Sequence, residues 1–297
     1  LYAQDELRLF DDRLRIVLGS KFERNDYTGF EVQPNARVNV RIGEDANAWA
    51  AVSRAVKTPA RLFRDGTAPA GIFFIEGTSE YFLINVRGNP ELDSEELIAV
   101  EGGWRAKLLD AVSLDFAAFH NSYKGLIGAN QDPNNVAFDP PNVYVPFENL
   151  SGGTVYGAEL SAKWNLNERL AVAGGWSYQH SAIGRFGTTD EKSAPPTMAN
   201  VRLYMNVTER LEWNVAGYYY DVSGRYDPSL LRGNDLVVDP IRRLDVGATF
   251  RPTRHLELAI WGQNLTEERH QEVKEGFVTP TSFVERSVYA RLTTRFF

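Results

Sequence analysis

Cysteine is absent from the 297 residues, so disulfides, zinc–thiolate sites and thiol catalysis are excluded. Long apolar runs are missing as well: the stretch AGIFFI over 70–75 is among the longest, far short of the ~18 residues a membrane helix needs. The net charge of −7 carries no basic excess, which argues against nucleic acid as a partner. Catalytic signatures are lacking too. There is no G-x-S-x-G elbow, H-E-x-x-H pair, phosphate-cradling P-loop or dinucleotide fingerprint. The four histidines, His120, His180, His255 and His270, lie far apart in sequence and read as surface or lumen residues rather than metal ligands. The acidic turn over 132–139, with Asp132 and Asp139, reads as an ordinary loop cluster before it reads as a calcium site. No enzyme, metal or cofactor is expected.

What the chain has instead is period-two alternation, many times over. Apolar Val38, Val40 and Ile42 alternate with Arg37, Asn39 and Arg41, and Val112, Leu114 and Phe116 with Ser113 and Asp115. Val201 and Leu203 alternate with Arg202, and Leu244 and Val246 with Asp245. One apolar and one charged face per strand fits no packed soluble barrel interior; it fits a membrane wall with lipid outside and a wet lumen inside. The connections alternate likewise. Short polar turns recur near Asp11, Gly43, Leu109, Asn167, Thr208 and Thr253, and longer segments intervene over 59–92, 124–146, 181–194, 223–237 and 266–282. Short turns at one end and long loops at the other describe an antiparallel transmembrane β-barrel, here with roughly thirteen strands. Trp104, Trp164, Trp176 and Tyr178 are placed to form aromatic girdles. No linker divides residues 1–297, which read as one domain, and the start at Leu1 within an apparent strand reads as a start inside a longer chain.

Several segments then bear comparison with one family. FERNDYTG at 22–29 with VQPNA at 32–36, WAAVSRAVKTP at 49–59, GNPEL at 88–92 with SEE at 94–96 and EGGW at 101–104, YGAE at 156–159 and GQNL at 262–265 follow one another in the order found in TonB-dependent outer-membrane receptors. The chain resembles the C-terminal part of that barrel. The resemblance implies about twenty-two strands in the whole barrel, with a plug and earlier strands outside this sequence. It implies a Gram-negative outer-membrane location and uptake of a scarce nutrient, above all a ferric siderophore, energised by the TonB complex. Further partners implied are outer-membrane lipid and the barrel-assembly machinery; the latter would read a terminal signal comprising Tyr289, Leu292 and Phe297 on the last strand. Haem is not the expected ligand, because no histidine lies between Pro59 and Pro90.

Within this frame, long loops are the expected ligand-contact regions, since membrane strands are committed to the ladder and to lipid. The loop over 59–92 carries Arg61, Arg64, Phe73, Phe74 and Tyr81, cationic and aromatic groups suited to an anionic, aromatic iron chelate. The same aromatics also suit simple packing on a neighbouring loop. Two other readings use the same alternation: a passive porin-like channel, and a soluble secreted carbohydrate-binding β protein.

Overall fold

The computed structural model describes residues 1–75, 77–130, 132, 134–185, 188–189, 194–226, 235–273 and 281–296. The terminal Phe297 and parts of the three connections closest to the C-terminus lie outside the described residues.

Alternating sequences become strands in chain order as β1 (Tyr2–Leu9), β2 (Leu14–Asn25), β3 (Gly29–Ile42) and β4 (Ala46–Lys57). A short helix α1 (Arg61–Asp65) follows, then β5 (Thr67–Phe74), β6 (Tyr81–Arg87), β7 (Glu95–Leu108), β8 (Val112–Ala129), β9 (Ala137–Asp139) and β10 (Asn142–Asn167). The remainder comprises β11 (Leu170–Arg185), β12 (Thr188–Thr189), β13 (Thr197–Asn206), β14 (Leu211–Tyr220), β15 (Ser223–Tyr226) and β16 (Asp235–Val238). It ends with β17 (Ile241–Thr253), β18 (Leu256–Gln263), β19 (Arg269–Val273), β20 (Ser282–Glu285) and β21 (Ser287–Thr294).

Thirteen of these strands form one antiparallel wall, in the order β1, β2, β3, β4, β7, β8, β10, β11, β13, β14, β17, β18, β21. Among the described residues β1 pairs only with β2 and β21 only with β18, so the wall is open. At one end every hairpin closes through a short turn, as the sequence predicts. The β7–β8 turn, residues 109–111 between the paired Leu108 and Val112, places Leu109 and Asp110 at φ 51° and 54°, the left-handed conformation that primed hairpin turns use. Lys107 Nζ donates to Asp110 Oδ1 across this turn (2.6 Å), which holds that carboxyl below its ordinary range.

At the other end the sequence-based loop boundaries need revision. Strand β8 runs to Ala129 and β10 begins at Asn142, so the predicted 124–146 loop is largely strand. The reason lies in its ends: Leu126 and Ile127 continue the wall ladder against Asn149 and Ser151, while Val143 and Tyr144 gain β6 and β9 as partners. The β2–β3 connection is tight, with Asn25 Oδ1 accepting from the backbone N–H groups of Tyr27 and Thr28 at 2.8 Å each.

Pairing registers test the two-faced reading directly, because cross-strand partners share a face. One row runs Leu108, Val112, Trp164, Val172, Leu203, Val215, Val246, Gly262 and Val288. The opposite face brings Arg202, Ala216 and Asp245 into line, and Arg105 beside Asp115. The charged face is the enclosed one: on β17 Asp245 and Thr249 are 5% exposed, whereas Val201 and Leu292 on the apolar face are 53% and 65% exposed. This is a soluble protein turned inside out.

Candidate functional site

The long connections build a small sheet above the rim opposite those six short turns. Strands β5 and β6 form a hairpin in the 59–92 segment, β6 adds parallel to the first residues of β10, and β9 pairs with the other edge of β10. This cap is continuous with the wall, since β10 leaves β9 and joins β8 from Phe147 onward.

The base of the cap explains the GNPEL segment. Gly88 lies so close to α1 that a Cβ there would stand 2.6 Å from the carbonyl carbon and oxygen of Arg64. Gly88 N–H donates to the Gly66 carbonyl (2.6 Å) and Asn89 N–H to that of Phe63 (2.9 Å). Asn89 Oδ1 accepts from the Glu91 N–H, and Leu92 is only 3% exposed. On its other side α1 packs the Phe63 ring against Phe147 of β10, with centroids 4.7 Å apart.

The following SEE residues are cross-ties. Ser94 Oγ donates to Glu31 Oε1 (2.6 Å), Glu95 accepts from Ile127 N–H and Lys57 Nζ (2.8 Å each), and Arg54 Nε donates to Glu96 Oε2 (2.7 Å). Asn149 fastens β10 to the same point by bonding Asp93 and Gly125. These residues tie the top of β7, where the chain returns from the cap to the wall, to strands β3, β4 and β8.

Of the predicted contact residues, Arg61 is exposed and makes no hydrogen bond or ion pair among the described residues. Arg64 is committed elsewhere: it donates to the Tyr27 carbonyl (2.5 Å) and lies over the Tyr27 ring, 4.9 Å from its centroid. Phe74 and Tyr81 face each other across the hairpin with ring centroids 6.2 Å apart, 70% and 45% exposed. Phe73 points to the opposite face, opposite Phe82. The two arginines stand at the hairpin base and the aromatic pair at its tip, about 23 Å away for seven residues of strand. They do not converge on one point.

Elsewhere, Leu292 lies on the apolar face beside Leu258 and Tyr289 on the other beside Trp261; Phe297 lies outside the described residues. The GQNL segment ends β18 at Gln263, and the next residue, Asn264, is fully buried at φ 53°. Its N–H donates to Asp245 Oδ1 (3.0 Å) and its Nδ2 to the Val284 carbonyl (3.1 Å). Arg243 holds the same carboxylate through Nε and Nη2 at 2.8 and 2.6 Å. Sequence reading missed Tyr27, whose tie to Arg64 carries no local signal. Among the described residues no group of three or more histidines and carboxylates is placed to hold a metal.

Comparison with known proteins agrees with this geometry. The family model described as TonB dependent receptor-like, beta-barrel matches residues 1–265. An iron-regulated outer membrane virulence protein of Vibrio cholerae is 23% identical over 201 residues, 65% of this chain and 30% of that protein. Among solved structures, a ferric enterobactin receptor of Pseudomonas aeruginosa superposes with TM-score 0.77 at 20% identity, over 99% of this chain and 44% of that one. The siderophore receptor PirA of Acinetobacter baumannii gives TM-score 0.77 at 17% identity, covering 99% and 45%. The chain thus spans less than half the length of each of these relatives.

Proposed function

Because the chain belongs to the TonB-dependent receptor-like β-barrel family, a family of Gram-negative outer-membrane receptors, we propose that it forms the C-terminal part of a barrel that imports a ferric siderophore with energy from the TonB complex. On this reading a plug and further strands belong to the same receptor, and those strands pair with the free edges of β1 and β21. The barrel-assembly machinery reads Tyr289, Leu292 and Phe297 at the last strand. Support for iron comes from the relatives, two of which are siderophore receptors and one iron-regulated by name.

The observation that carries the reading is the cap itself, a platform held at its base by the GNPEL segment that presents polar and aromatic groups beyond the wall. Arg61, Arg64, Phe73, Phe74 and Tyr81 are its share of the outer vestibule. Arg61 offers a free guanidinium to an anionic chelate at the base, and the Phe74–Tyr81 pair offers ring faces at the tip. Arg64 fixes the base from which Arg61 projects.

The test uses the intact receptor in iron-starved cells that depend on it. Radioactive iron presented as a catecholate or hydroxamate chelate enters such cells and stops entering when TonB is removed. Uptake of neither chelate class overturns the reading.

A further inference from the structure

The outer face of the wall changes character along a line that the sequence pattern does not reveal. On β8 the outward residues from Val112 upward are Leu114, Phe116 and Ala118, then His120. On β10 they run from Trp164 through Ala162, Leu160 and Ala158 to Tyr156. On β11 they run from Val172 through Gly174, Trp176 and Tyr178 to His180. The register aligns Val112, Trp164 and Val172 in one row, and His120, Tyr156 and His180 in another. Eight residues separate the rows on all three strands, about 26 Å of strand, or about 20 Å of height at a tilt near 40°. That height approaches the ~25 Å apolar band of an outer-membrane barrel, so the upper row lies where hydrocarbon gives way to headgroups.

The three rings are ordered against one another. His120 stacks on Tyr156 with 10° between planes and centroids 6.4 Å apart, and His180 lies 5.1 Å from Tyr156 on its other side. His120 is exposed and Tyr156 is 42% exposed. A packing role alone would favour aliphatic or plain aromatic groups on this face; two imidazoles and a phenol bring N–H and O–H donors to it.

We propose that His120, Tyr156 and His180 bind the phosphate of an outer-leaflet lipid headgroup, and that protonation of the two imidazoles strengthens the grip. Imidazoles change charge between about pH 5 and 8, and charged donors make the stronger bonds to phosphate oxygens. Few other titratable groups share this part of the outer face. On β7 the row partner is Val100, with Glu96 two outward positions higher and paired with Arg54 of β4. On β8 Lys124 lies two outward positions above His120, opposite Glu96, and on β11 Tyr178 lies one position below His180. The site stands on the barrel's place in the membrane and is independent of the transported ligand.

The intact receptor in phosphatidylcholine vesicles, probed with spin-labelled phosphatidylglycerol, tests it. The phosphodiester keeps its charge throughout, so any pH effect belongs to the protein. Preference for the anionic lipid over spin-labelled phosphatidylcholine should rise at least about threefold from about pH 8 to about pH 5.5, and this rise should vanish in His120→Gln/His180→Gln. Tyr156→Phe should lower the preference at both pH values while keeping the rise. All variants should keep heat-modifiable migration in gels, the sign of a folded barrel. A pH-independent preference, or a rise that survives the double variant, overturns the proposal. Displacement of the labelled lipid by millimolar inorganic phosphate also overturns it, by showing a site for free anion instead of a headgroup.

Discussion

Arg64 holds Tyr27 twice, donating to its carbonyl at 2.5 Å and covering its ring at 4.9 Å, and so ties the cap helix to the β2–β3 turn. The neighbouring Arg61 has no such duty among the described residues. Replacing each one separately therefore tells binding from support. Arg64→Ala removes a charge-assisted bond and a cation–π contact, about 1–2 kcal/mol of local stability, and should speed hydrogen exchange over α1 in the intact receptor. Arg61→Ala should leave exchange unchanged and weaken binding of a ferric catecholate severalfold. The reverse pattern would assign the two arginines wrongly.

The Gly88 contact sets a second expectation. Gly88→Ala places a methyl 2.6 Å from the Arg64 backbone, which cannot yield as a flexible side chain does. The cost should be about 1–3 kcal/mol, seen as protease cleavage near α1 with the wall intact. Leu92→Ala empties a buried position and should cost about 2–5 kcal/mol at the same hinge of cap and wall.

For the wall, neighbouring positions on opposite faces give a clean contrast. Val201→Arg sets a charge against lipid and should reduce stability by about 2–4 kcal/mol, whereas Asn200→Arg, facing the lumen, should cost little. Urea-induced unfolding from lipid vesicles measures both. Thr249 is unsuitable as the lumen control, because it is 5% exposed and an arginine would not fit there.

Asp245 serves Arg243 and the buried Asn264 N–H together, with only 7% of its side chain exposed. Asp245→Ala strands both donors, and a loss of about 3–5 kcal/mol should appear in the same unfolding assay. Asp245→Asn keeps one acceptor and should recover part of that loss. Equal losses for the two variants would mean that the charge, and not the acceptor geometry, is what the site needs.

The wall was legible in the sequence because period two is a local property: residues such as Val246 and Asp245 declare their faces without knowing their partners. The count of wall strands and the tight turns followed from the same rule. The cap was not legible in this way. Its parallel pairing of β6 with β10 joins residues about sixty positions apart, and the partner of Arg64 lies thirty-seven positions back at Tyr27. An aromatic-rich segment such as 70–82 says that it will pack, not against what. Phe73 and Phe74 read as one patch in sequence; the strand turns them to opposite faces.

The pairing of β6 with β10 also has a mechanical side. Pulling the hairpin outward along β10 loads every rung from Leu83–Asn142 to Arg87–Pro146 at once, in shear. Peeling β9 away from the same strand breaks its rungs one after another, starting at Ala137. The cap is thus stiff against tugging from the side of the hairpin and yielding along the edge of β9, and the strand between them runs on without a break to the far rim at Asn167. A force applied to the platform arrives at the opposite mouth through a single backbone.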